Sequence, residues 1–152
     1  MNGTAWLRMG AVLGFLAVAI GAFGAHSLKE RLETLGTVQA FQTGVQYQMF
    51  HTTAILALGV YLMLRPTGAG SAASIAGWSF LLGILLFSGS LYILAITGIK
   101  VLGAITPFGG VAFLVGWIAF AIAASSPART MPEARLSSQA IDRNPAIEAT
   151  LR

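Results

Sequence analysis

Four apolar runs, each long enough to cross a bilayer, constrain this chain more than any other feature of it. The hydrocarbon core of a membrane is about 30 Å thick and an α-helix rises 1.5 Å per residue, so a span needs about 20 mostly apolar residues. The runs cover about 6–25, 47–64, 75–97 and 105–124. Charged residues fall at their edges and between them: Arg8 at the first, then Lys29, Glu30, Arg31 and Glu33, then Arg65, then Lys100. Only 9% of the 152 residues are charged and 56% are hydrophobic, whereas a soluble domain carries roughly 25% charged residues to solvate its surface. Lipid must therefore be the solvent for most of this surface. The predicted fold is an all-α membrane protein, a four-transmembrane-helix bundle over residues 1–124.

The runs are unequal. The third is the richest in Leu, Ile and Phe, whereas the second must also accommodate His51, Thr52 and Thr53 and is the weakest. The first has a rival reading, because Arg8, an apolar stretch and Ala22-Phe23-Gly24 resemble a signal peptide with a small-residue cleavage site. Its small residues argue for a retained helix. Gly10, Gly14, Ala17, Gly21 and Gly24 step by four, three, four and three, which aligns them on one helical face. That is the small-xxx-small surface by which membrane helices approach closely. The fourth run repeats the device with Gly109, Ala112, Gly116, Ala119 and Ala123. Two such stripes predict a tight bundle and offer a surface for a second copy or a larger membrane-protein partner.

Between the first two runs, Ser27-Leu28-Lys29-Glu30 matches the Ser-x-x-Glu capping box. Leu28, Leu32 and Leu35 then recur on one face with Lys29, Glu30 and Glu33 on the other, predicting a short interfacial helix over about 28–35. Gln39, Gln42 and Gln46 share a face leading into the second span. The tail over 125–152, with Pro127, Pro132 and Pro145 among small and charged residues, is predicted to be disordered because it has too little apolar surface to bury. Lysine and arginine set the expected orientation. Arg8, Arg65, Arg129, Arg135 and Arg143 lie on one side and Lys29, Arg31 and Lys100 on the other. By the positive-inside rule this puts both termini in the cytoplasm.

Several chemistries are excluded or lack support. The net charge of +4 comes without a basic cluster interleaved with aromatics, so no nucleic-acid partner is expected. The chain has no cysteine, hence no disulfide and no thiolate ligand or nucleophile. No charged residue lies deep in a run, unlike proton pumps and many ion-coupled transporters. Phe87-Ser88-Gly89-Ser90 is not a hydrolase elbow but a packing or kinking point whose hydroxyls bond the preceding turn. Two histidines do not complete a zinc site, and no cofactor is expected. His26 ends the first run and His51 falls about one turn into the second, so antiparallel spans place both toward the same side. Ser88, Ser90 and Tyr92 near the exit of the third run, and Thr106 at the start of the fourth, are expected there too. Together with Lys29, Tyr47 and Gln48 they outline a candidate polar vestibule for a small solute or proton, since imidazole titrates near neutral pH.

These residues also carry a resemblance. Gly21-Ala-Phe-Gly-Ala-His26 with Leu28-Lys29, then Tyr47-Gln48-Met-Phe-His51, then Phe87-Ser-Gly-Ser-Leu-Tyr92 through Thr97-Gly98, then Leu102-Gly-Ala-Ile-Thr-Pro107-Phe-Gly-Gly110 stand in order along the chain. Over roughly residues 5–124 the chain closely resembles the small membrane-protein family known as domain of unknown function (DUF) 423. That family has bacterial members and a related transmembrane protein in animals. The resemblance implies four membrane helices in a bacterial inner membrane and implies no activity. It also argues against a cleaved signal, because the first span carries one of the motifs. The function expected from all of this is a non-enzymatic membrane protein that packs with a partner, the alternative being a binder, carrier or channel at the vestibule.

Overall fold

A computed structural model describes residues 1–65 and 70–125; the predicted tail beyond Ser125 lies outside the described residues. Among the described residues six α-helices follow one another: α1 (Gly3–Ala25), α2 (Lys29–Leu35), α3 (Val38–Leu64), α4 (Gly70–Gly83), α5 (Gly89–Thr97) and α6 (Thr106–Ser125). A π-helical turn, Ile84–Ser88, joins α4 to α5 into one span, and a 3₁₀ turn, Lys100–Ala104, precedes α6. Four stretches are long and apolar enough to cross a membrane: Gly3–Ala25, Val38–Leu64, Gly70–Thr97 and Lys100–Ser125. Among the described residues there is no strand.

Local chemistry explains most of the boundaries. The Asn2 side chain accepts from the Ala5 N–H at 2.9 Å and caps α1. Gly36 (φ 64°) and Gly98 (φ 76°) end α2 and α5 in the left-handed region, where a side chain would be strained. The Ser27 capping box does not form. Leu28 N–H bonds back to the Phe23 carbonyl and Leu28 itself is α-helical, so the chain stays wound from α1 into α2 and offers no extended cap residue. Several helix hydroxyls bond to the carbonyl four residues earlier, as in Thr43 to Gln39 and Thr53 to Met49. That self-satisfaction lets them tolerate an apolar surround.

The bundle is two helix pairs, α1 on α3 and α4 on α6, joined where α3 meets the π turn and α5. Trp6, Ile55, Leu58 and Phe80 are fully buried in its core. Both small-residue stripes face inward. A methyl built on Gly10 would stand 2.6 Å from Leu56, and one on Gly24 2.1 Å from Phe41. On α6, a methyl on Gly109 would meet the Phe87 backbone nitrogen at 2.4 Å, and one on Gly116 would meet Phe80 at 2.6 Å. Gly10 and Gly24 of α1 and Gly109 and Gly116 of α6 are thus used in packing within the chain. Large apolar side chains such as Phe15, Leu64, Leu85, Phe108 and Ile118 point outward instead, which suits lipid.

The two ends of the bundle differ. At the end bearing the N-terminus, Trp6 packs against Gly77 and edge-on to Trp78, and the Tyr61 hydroxyl donates to the Ala123 carbonyl, tying α3 to α6. At the other end α2 props against the third span. Arg31 Nε donates to the Ile96 carbonyl at 2.6 Å, a cation at a helix C-terminus, and Thr37 Oγ1 donates to the Ala95 carbonyl at 2.8 Å. Leu32 is buried with Phe41 and Ala95 beneath it.

Candidate functional site

Propping α2 outward opens a groove. Its walls are the last turns of α1, the inner face of α2 and the first half of α3, and it holds about 850 Å³. Lys29 and Glu33 of α2 line its α2 side, and along α3 the lining runs from Gln42 through Val45 and Gln46 to Met49, Phe50 and Thr53, of which Met49 and Phe50 are themselves exposed. Gly21 and Gly24 line the opposing wall, with Phe41 packed onto Gly24. Lys29 and Glu33 are both exposed, and neither makes an ion pair among the described residues. Arg31 points to the third span rather than into the groove.

Other residues expected in the vestibule lie at the centre of the bundle. Because α3 begins at Val38, His51 sits midway along its 27 residues rather than one turn from an end. Gln48 is buried and spans two neighbours: its Nε2 donates to the Leu13 carbonyl at 3.0 Å and its Oε1 accepts from the Tyr92 hydroxyl at 2.8 Å. His51 is buried and stacks on Phe113, with ring centroids 3.4 Å apart and planes 7° apart. Its Nδ1 lies 2.9 Å from the Tyr47 carbonyl, and the Trp117 Nε1–H donates to its Nε2 at 3.2 Å. A carbonyl only accepts and an indole N–H only donates, so both contacts fit one neutral tautomer with the proton on Nδ1. Tyr47, exposed on its outer side, stacks on Phe87 at 4.3 Å. A second groove of about 560 Å³ runs past Tyr47, His51, Phe87 and Trp117.

The structure thus divides the predicted site. Lys29 belongs to the groove. Gln48, His51 and Tyr92 form a buried polar layer, and Ser90 pairs with Thr106 at 2.9 Å, holding the start of α6 to the third span. Ser88 is buried in the π turn, and its hydroxyl lacks a partner instead of bonding the preceding turn. His26 is exposed, and its imidazole has no hydrogen-bond partner among the described residues. It does not converge with His51. The end of α1 packs at Phe41, ten residues or about 15 Å of helix from His51. Glu33, Gln42, Gln46, Phe113 and Trp117 were not singled out from sequence, although the shared face of Gln42 and Gln46 pointed toward the groove. Among the described residues no three His, Asp or Glu side chains gather as metal ligands.

Four long apolar helices with large apolar side chains on their outer faces define a multi-pass helical membrane protein. The chain belongs to the family described as "Protein of unknown function (DUF423)", whose model matches residues 20–110. It is 47% identical over 119 residues to the UPF0382 membrane protein YwdK of Bacillus subtilis, covering 78% of this chain and 94% of that one. It is 46% identical over 114 residues to the UPF0382 inner membrane protein YgdD of Escherichia coli, covering 73% and 82%. A UPF0382 membrane protein of Haemophilus influenzae is 46% identical over 116 residues, covering 76% and 90%. No solved structure matches the chain.

Proposed function

We propose that this protein is a non-enzymatic, multi-pass protein of the bacterial inner membrane that binds a membrane amphiphile in the groove between α1, α2 and α3. The observation that carries the reading is the uneven lining, with charged and amide side chains (Lys29, Glu33, Gln42, Gln46) toward α2 and a mostly apolar stretch (Met49, Phe50, with Thr53) further along α3. An amphiphile has the same division, and a site that repeats it satisfies both of its ends at once. The excess of Arg on the side of the termini supports both termini in the cytoplasm, and the inner-membrane name of the Escherichia coli relative supports the compartment. The α2 side of the groove then faces the outer leaflet. A proton or solute path through His26 and His51 has less support, because the histidines lie apart and both ring nitrogens of His51 are engaged.

The test is the lipid retained by the purified full-length protein after detergent exchange, read by native mass spectrometry. Wild type should keep a phospholipid. Met49→Trp, at an exposed position lining the groove, should lose it without changing the thermal midpoint. Because the chain has no cysteine, Met49→Cys also reports whether a second copy fills the groove. Lipid-free wild type, or a quantitative Met49→Cys disulfide dimer in the native membrane, would refute the reading.

A further inference from the structure

The α2 side of the groove specifies more than an amphiphile. Lys29 and Glu33 are four residues apart on one helix, hence neighbours on one face, and both line the groove. Neither has an ion-pair partner among the described residues. The other charges of α2 are placed elsewhere: Arg31 bonds the Ile96 carbonyl, and Glu30 is not in the lining. From α1 and α3 the lining adds only uncharged polar groups, among them Gln42 and Gln46. The polar part of the groove therefore presents one cation, one anion and two amides, and carries no net charge.

Resting on the amphiphile reading above, we infer that the occupant is a phospholipid with a zwitterionic, primary-amine headgroup, a phosphoethanolamine lipid. Its phosphate pairs with Lys29 and its ammonium with Glu33, while one acyl chain runs past Gly21 and Gly24 against Val45, Met49 and Phe50. A glycerol headgroup offers the same phosphate to Lys29 but brings only neutral hydroxyls, and no cation, to Glu33. A choline headgroup keeps the charges but has no N–H to donate to the Glu33 carboxylate or the glutamine carbonyls, and charge-assisted hydrogen bonds are the stronger kind. The inference thus separates three headgroups by two residues.

The experiment uses the full-length protein delipidated and returned to nanodiscs containing equal parts of ethanolamine, glycerol and choline phospholipids with identical acyl chains. Bound lipid is counted by native mass spectrometry. Wild type should prefer the ethanolamine lipid over both others by about fivefold, a ratio one surface charge-assisted contact supplies. Glu33→Gln should bring the glycerol lipid level with the ethanolamine lipid. Lys29→Gln should weaken all three lipids, whose phosphate it would pair with, without a change in thermal midpoint, since the side chain is exposed. A bound lipid without headgroup preference, or a preference unmoved by Glu33→Gln, overturns the headgroup assignment and leaves the groove reading intact. No bound lipid of any kind in wild type overturns both.

Discussion

The two helix pairs use the same device, a stripe of small residues, yet they close to different degrees. In α6 the stripe meets rigid surroundings: the Phe87 backbone stands against Gly109, and the Phe80 ring against Gly116. In α1 the face is tight at Gly3, against the Gly59 carbonyl oxygen, and at Gly10, against the Leu56 side chain, and loosens beyond. Methyls on Gly14 and Gly21 would find only Thr52 at 3.7 Å and Val45 at 3.4 Å, ordinary or nearly ordinary contacts. At Gly24 the gap is closed by the Phe41 ring rather than by backbone. A small-residue stripe therefore permits close approach without dictating it. The facing side chains decide whether the seam seals or opens, and the groove lies where it opens.

That difference ranks substitutions. Gly109→Ala should be the most damaging, because backbone must move to make room. We expect a loss of about 3 kcal/mol, the upper part of the range for overpacking, read as a lowered unfolding midpoint in detergent. Gly10→Ala presses on the Leu56 side chain, which can change rotamer, and should cost about 1–2 kcal/mol. A larger effect at Gly10 than at Gly109 would contradict the ranking. Gln48→Leu removes two hydrogen bonds and leaves the Tyr92 hydroxyl unpaired within the bundle. It should cost about 1 kcal/mol, in the range measured for polar contacts between membrane helices. His51→Phe keeps the stacking on Phe113 but loses both hydrogen bonds, and should also cost about 1 kcal/mol. His26→Ala should lie within about 0.5 kcal/mol of wild type, and equal effects at the two histidines would erase the contrast between centre and end. Gly14→Ala should be neutral or slightly stabilising, since alanine has about 1 kcal/mol better helix propensity and the space is open.

The four spans were legible because hydrophobic length is a one-dimensional property of the chain. So were the two stripes, since a period of three and four residues needs only the helix repeat to become a face. Their destination was not legible. A face of glycines on α1 serves a partner or a neighbour equally well, and only the pairing of α1 with α3 assigned it inward. The depth of His51 was misjudged for a related reason. Gln39 and Gln42 read as the first turns of a helix leading into a span that begins at about 47, and counted from the start of that 27-residue helix His51 stands at the middle. The aromatic setting of His51 was invisible too, because Phe113 and Trp117 come from a helix 62 and 66 positions away.

Lys29 and Glu33 show the same boundary within one short helix. Sequence alone determined that they share a face, because the α-helical period fixes neighbours four apart. It also determined that the chain crosses lipid, because 56% hydrophobic residues in four long runs have no soluble alternative. Tertiary structure alone decided that this face looks into a groove. That depended on Arg31 reaching the carbonyl of Ile96, 65 residues away, and on the end of α1 lining the opposite wall. Which contacts form between distant segments is set by the packing of the whole bundle, and no local pattern encodes it.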